Sequence, residues 1–155
     1  MADQIYLTTE GAEKMKAELA ELKGPQRTEL AQRLRSAIQM GDLSENADYH
    51  KAKEDQGFLE GRINELEYLL HNAIIVDIAE VSRDSVQVGT RITIQEEGEE
   101  PETYLMVGAS EADPRNGRIS NESPIGAALF GKKVGETAIA VTPGGKIHFK
   151  ILKIE

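Results

Sequence analysis

Between residues 46 and 75 the apolar positions recur at alternating steps of three and four. Tyr49, Ala52, Leu59, Ile63, Leu66, Leu70 and Ala73 hold this register, with Gln56 as its one polar member. Heptad spacing of this kind puts one apolar stripe on a helix and is the pattern of a coiled coil. Lys51, Lys53, Glu54, Asp55, Glu60, Arg62, Glu65 and Glu67 fall between the stripe positions and read as a solvated face. Residues 9–39 form the complementary stretch. Met15, Leu19 and Leu22 are in heptad phase, and Leu30, Leu34 and Ile38 then follow at steps of four. The phase slips at Gly24-Pro25, where proline removes a helical N–H and disfavours a helical conformation for the residue before it. The spacing therefore predicts a kink or a short break there, inside an arm that continues. Thr8 or Thr9 is the expected N-cap, and neither completes a capping box, because Gly11 and Ala12 stand at the respective third helical positions.

Residues 40–46 connect the two arms. Gly41 reads as the helix stop, and Ser44 or Asn46 as the cap of the next helix. A connection this short makes the neighbours antiparallel. An arm of about 30 residues at about 1.5 Å per residue gives a rod about 45 Å long, with the connection at its far tip.

The second half changes period. Residues 85–88, 91–95, 103–107, 117–119, 137–141 and 146–154 read as strands, being rich in β-branched residues with alternating polarity. Glu96-Glu97-Gly98-Glu99-Glu100, Asn116-Gly117 and Pro143-Gly144-Gly145 mark turns. The apolar, Ala-rich residues 125–130 read as one or two helical turns on the sheet. The fold class expected is α+β, with a helical hairpin over 1–77 (tip 41–48) and a globular domain over 78–155.

Composition narrows the function. The chain of 155 residues carries 18 Lys+Arg against 27 Asp+Glu, a net charge of -9, and this argues against a broad phosphate-contacting surface for duplex nucleic acid. With no cysteine there is no disulfide framework and no thiolate metal site. No run approaches the ~18 apolar residues of a membrane span, and the N-terminus lacks the basic and apolar regions of a secretory signal. A cytoplasmic protein with no membrane partner is expected.

The chemistry that remains is at the tip. Asp42, Glu45 and Asp48 crowd within one turn-and-helix start with no basic residue among them. Two such carboxylates can hold a hard divalent cation and polarise a water. Capping of free N–H groups is the more ordinary use of acids at a helix start. Two carboxylates are too few for a self-sufficient Mg²⁺ site, so a functional reading needs another molecule to supply the other ligands. Lys51 and Lys53, with Arg33 and Arg35, could form a basic flank near the tip, and ordinary helix-surface charge explains them as well.

Gly41-Asp42-Leu43-Ser44-Glu45-Asn46-Ala47-Asp48-Tyr49-His50 resembles the motif of the bacterial GreA/GreB transcript cleavage factors, on the GreA side of that family. Gln56-Gly57-Phe58, Glu60-Gly61-Arg62-Ile63, Asn72-Ala73, Ser123-Pro124-Ile125, Gly131-Lys132-Lys133-Val134-Gly135 and Thr142-Pro143-Gly144-Gly145 extend the resemblance, in order, over essentially the whole chain. It implies an antiparallel coiled-coil hairpin followed by an FKBP-like α+β domain. It also implies a partner, bacterial RNA polymerase, with the hairpin in its secondary channel and the globular domain at the channel rim. Asp42 and Glu45 would then be the catalytic acids and metal contacts, acting only in complex with the polymerase on an Mg²⁺ shared with its active centre. The factor would bind no cofactor alone and would not be an enzyme on its own. It would stimulate the polymerase to cut backtracked nascent RNA near its 3′ end, rescuing arrested complexes. Asn46, Tyr49 and Lys53 would contact the polymerase or the RNA, Ser123 and Pro124 would meet the rim, and the chain would be a monomer. One departure stands out: where the family reads Ala-Arg-Glu before the tip, this chain has Ala37-Ile38-Gln39, which weakens a basic RNA-binding patch. The alternatives are a non-catalytic channel binder or inhibitor and, less favoured, an FKBP-like prolyl isomerase or chaperone. A plain interaction module with capping acids is a further reading.

Overall fold

The computed structural model describes residues 4–41 and 45–155. In chain order it contains β1 (Tyr6–Thr8), α1 (Thr9–Glu21), a π-helical segment (Leu22–Gln26), α2 (Arg27–Gln39) and α3 (Ala47–Asn72). There follow β2 (Ile74–Val76), β3 (Arg91–Glu96), β4 (Glu102–Val107), β5 (Arg118–Ser120), α4 (Pro124–Leu129), β6 (Thr137–Thr142) and β7 (Gly145–Ile154). The class is α+β, as the change of period requires. No helix among the described residues is long and apolar enough to cross a membrane.

The chain forms two compact units, residues 13–72 and residues 1–12 with 73–155. The expected division at 77/78 separates the hairpin from the sheet by sequence, whereas by packing the first 12 residues belong with the second half. The cause is a short parallel ladder that the periodicity does not announce: Tyr6, Leu7 and Thr8 pair with Ile74, Ile75 and Val76.

In the helical unit the predicted stripe of α3 is the packed face. Ala52, Ile63 and Leu66 are buried, and Tyr49, Gln56, Leu59, Leu70 and Ala73 are half-buried. Burying a large aliphatic side chain contributes about 1.5–3 kcal/mol, so this seam is the main source of hairpin stability. The expected break at Gly24-Pro25 is a π-helical segment with Pro25 inside it, and the helix continues through it. A π-helical insertion adds a residue to the turn, which explains why the buried position after Leu22 is Leu30. The expected stripe position Ile38 is not in the seam. Its side chain is 52% exposed, while Ala37 is 2% exposed, so the spacing after Leu34 returns to a step of three. Partners fall from Glu60 to Asp55 on α3 as they rise from Arg27 to Arg33 on α2, the register of antiparallel helices.

In the other unit five strands make one sheet in the order β5-β4-β3-β7-β6. Neighbours are antiparallel except β4 and β5, which run parallel. Alternation sets the inner face: Ile92 and Ile94, Ala138 and Ala140, Phe149 and Ile151 point into one core with Val86, Val88, Met106, Ile119 and Leu129. Residues 85–88, expected as a strand, are not one. Val86 and Val88 are buried, yet the backbone of Val86 bonds the loop after α4, donating to Lys132 O and accepting from Gly131 N, both at 2.8 Å. Alternation there reports burial of two valines, and the polar backbone is satisfied without a ladder.

Thr8 proves to be the cap of α1. Its hydroxyl accepts the Gly11 N–H at 3.1 Å. Its own N–H donates to Glu111 Oε2 at 2.8 Å and its hydroxyl donates to Glu111 Oε1. Glu111, remote in sequence, thus does what the third helical residue does in a capping box. A Cβ at Gly11 would sit 2.1 Å from Glu111 Oε1, so a side chain there would require the Glu111 carboxylate to move.

Candidate functional site

The tip of the hairpin is built by two helix ends. At the end of α2 the Met40 N–H donates to Ala37 O at 3.1 Å, and Gly41 turns the chain at φ +123°, a conformation that favours glycine. At the start of α3, Asn46 Oδ1 accepts the Tyr49 N–H at 3.0 Å, so Asn46 is the cap. The same amide donates through Nδ2 to Ala37 O at 2.6 Å. One side chain therefore ties the last turn of α2 to the first turn of α3. Of the expected tip residues, Asp42 and the alternative cap Ser44 lie outside the described residues. Glu45 and Asp48 are both exposed.

Tyr49 is half-buried, with its ring edge-on to His50 at 5.6 Å between centroids. Lys53 is exposed and donates to Gln56 Oε1 at 3.3 Å. The basic flank is largely occupied by structural pairing. Arg33 and Lys51 both hold Asp55, at 3.0 and 3.1 Å. The hydrogen bond from Lys51, and then that from Arg33, keeps the Asp55 carboxyl below its ordinary pKa. Arg27 forks onto Glu60 at 2.8 and 2.7 Å, and Arg62 onto Glu18 at 2.9 and 3.0 Å. These bonds depress Glu60 and Glu18 in the same way. Among the described residues no group of three or more His, Asp or Glu could hold a metal. Glu45 is a hard, solvent-facing oxygen donor, chemically suited to Mg²⁺, in a set the described residues do not complete by themselves.

Ser123 and Pro124 lie in the other unit. Ser123 Oγ accepts the Gly126 N–H at 3.1 Å and donates to Ser120 O at 2.7 Å, capping α4, and Pro124 takes the first helical position. Both also line an apolar pocket of about 280 Å³, with Ile94, Tyr104, Pro143 and Phe149 among its walls. Tyr104 donates its phenol to Glu102 Oε2 at 2.7 Å, which pushes the phenol pKa up. The pocket suits an apolar side chain presented by a protein. Sequence reasoning named Ser123 and Pro124 but not the pocket. Tyr104 and Phe149 sit on separate strands, and only the sheet order brings them together.

Residues 5–75 match the family model described as "Transcription elongation factor, N-terminal". Residues 81–155 match that described as "Transcription elongation factor, GreA/GreB, C-term". The chain is 48% identical over 157 aligned positions to "Transcription elongation factor GreA" of Streptococcus sanguinis, covering 100% of this chain and 98% of that protein. A protein of the same description from Streptococcus pneumoniae serotype 19F is likewise 48% identical, with the same coverage. A solved structure of GreA factor homolog 1 from Thermus thermophilus is 26% identical, covers 99% of each chain and superposes with a TM-score of 0.45.

Proposed function

The chain belongs to the GreA/GreB family of transcription elongation factors, and from there we propose that it stimulates RNA polymerase to cleave backtracked nascent RNA. The observation that supports the reading is the Asn46 tie, which holds the end of α2 to the start of α3 in an antiparallel hairpin, beside the exposed Glu45. In this reading the hairpin enters the polymerase's secondary channel in the cytoplasm, and the monomeric factor carries no metal in. Asp42 and Glu45 supply carboxylate oxygens to an Mg²⁺ of the polymerase active centre. An Mg²⁺ held there would supply Lewis acidity, activating water and offsetting charge on the phosphate. The tip carboxylates would orient a water for attack on phosphorus. The P–O3′ bond breaks, leaving a 3′-hydroxyl on the retained transcript and a 5′-phosphate on the released fragment. Asn46 is a positioning residue in this scheme. Tyr49 and Lys53 line the approach, and the pocket beside Ser123 and Pro124 takes an apolar side chain at the channel rim. The factor activates an enzyme and is not one itself.

The test is cleavage of end-labelled RNA in a backtracked complex with cognate polymerase and Mg²⁺. Wild type shortens the transcript. Asp42→Asn and Glu45→Gln still bind, measured by competition for the channel, and lose cleavage. Asn caps a helix about as well as Asp, so a loss in Asp42→Asn reports charge and not folding. Full cleavage by both variants would remove the carboxylates from the mechanism. Binding without cleavage by wild type would leave a channel-binding inhibitor.

A further inference from the structure

β6 is an outer strand of the sheet, with β7 on one side only. Its residues, Thr137-Ala138-Ile139-Ala140-Val141-Thr142, include no charge and no proline. Ala138 and Ala140 are fully buried on the side where α4 packs, while Ile139 is 51% and Val141 66% exposed on the other. Its pairing with β7 runs without a bulge. Natural edges are usually blunted by lysine, proline or a bulge, because an edge strand offers a row of unpaired N–H and C=O groups. β6 has none of these devices. Among the described residues, positions 137–141 make no backbone hydrogen bond outside their own ladder.

The neighbouring strand supplies charge. Val141 lies opposite Lys146, Ile139 opposite His148 and Thr137 opposite Lys150. Directly opposed residues share a face, so two exposed aliphatic side chains run beside a row of exposed basic ones. Lys146 and Lys150 have no ion-pair partner among the described residues. In a chain of net charge -9 this strip is an unneutralised cationic patch.

We propose that β6 accepts an extended acidic segment of another protein as an added strand. The segment's backbone continues the ladder, its apolar side chains cover Ile139 and Val141, and its carboxylates meet Lys146 and Lys150. This is strand addition at a sheet edge, in which main-chain bonds give affinity and side chains give selectivity. A nucleic acid would answer the lysines but not the ladder or the aliphatic pair. A second copy paired through β6 would bring two cationic rows onto one sheet face with no acid between them.

The experiment titrates the ¹⁵N-labelled full chain with a capped peptide alternating Glu and Val, against its Lys/Val counterpart and an oligothymidylate. The Glu peptide is expected to shift the amides of 137–142 with Kd tighter than about 1 mM. It is expected to slow exchange at alternate residues there about tenfold. Raised salt weakens it. The surface variant Lys146→Glu/Lys150→Glu loses the Glu peptide and gains the Lys peptide. Any of four results would overturn the proposal: no binding of the Glu peptide at millimolar concentration, equal binding of both peptides, the same shifts with oligothymidylate, or protection of β6 that rises with protein concentration in the absence of peptide.

Discussion

Removing the Asn46 amide tests the tip directly. Asn46→Ala deletes two bonds at once: the cap on the Tyr49 N–H and the tie to Ala37 O. Loss of an Asn cap costs about 0.5–2 kcal/mol. A typical intramolecular hydrogen bond contributes about 0.5–1.5 kcal/mol net. Water can reach part of the freed carbonyl, because Asn46 is half-buried and Met40 N–H still bonds Ala37 O, so the sum lies toward the lower end, about 1–2 kcal/mol. Asn46→Asp separates the two roles. The carboxylate still caps α3 and suits the positive end of its dipole, but it cannot donate to Ala37 O and meets the negative end of α2. Its stability loss should therefore be smaller than that of the alanine variant. Its effect on the tip, read as faster exchange of the Met40 and Gly41 amides, should be comparable. The assay is urea unfolding followed by helical signal, with amide exchange resolving Tyr49 from the end of α2. In backtracked complexes, both variants should bind polymerase and cleave more slowly. If Asn46→Ala matched wild type in stability and in Tyr49 exchange, the two hydrogen bonds of Asn46 would have no bearing on how the helix ends are held together.

Two further outcomes follow from the same geometry. Gly11→Ala should destabilise the chain, since the new Cβ displaces the Glu111 carboxylate and breaks its two bonds to Thr8, costing about 1–3 kcal/mol against a helix-propensity gain of about 1 kcal/mol. A rise in thermal midpoint would refute this, and Glu111→Ala in the same background should add little further loss. Acidification should weaken the hairpin. Glu18, Asp55 and Glu60 have folded pKa values depressed by their cationic partners, so their contribution is present above the unfolded carboxylate range and is lost as pH falls through the lower folded values. Helical melting temperature should hold from about pH 7 to 5 and fall below about pH 4, modestly, because these pairs are partly exposed and screened. A melting temperature unchanged at about pH 2.5 would show that the pairs contribute nothing.

The sequence made some elements legible and hid others for identifiable reasons. The stripe of α3 repeats for the length of the helix, so no single substitution could blur it. The stripe of α2 is short and follows a π-helical insertion, and two candidates, Ala37 and Ile38, lay side by side. The larger residue looked like the core position, and the small one is where the helices approach. β1 and β2 have three residues each, too few for alternation to register. Asn46 was legible as a cap because a cap is a local device. Its second bond, to Ala37, and the role of Glu111 at Thr8 join residues whose proximity only the fold creates. The tip acids stood out through their spacing, yet the chemistry assigned to them came from resemblance over the whole chain.

The pairing of β1 with β2 has a kinetic consequence. Both strands are short, and the chain between them runs through both arms of the hairpin. As a flexible coil, that stretch would have to lose the entropy of closing a long loop before a three-residue ladder could form. Zipping of α2 against α3 starts from the short turn at their common end and needs no such closure, and it shortens the effective loop with each turn added. The helices should therefore assemble before the strands at their roots meet, and seam mutations in α3 should slow docking of residues 6–8 even though they touch none of them. For the same reason, a fragment cut at residue 78 leaves Glu111 without Thr8 and the sheet unit without either root strand. Joining residue 12 to residue 73 by a short linker would keep both.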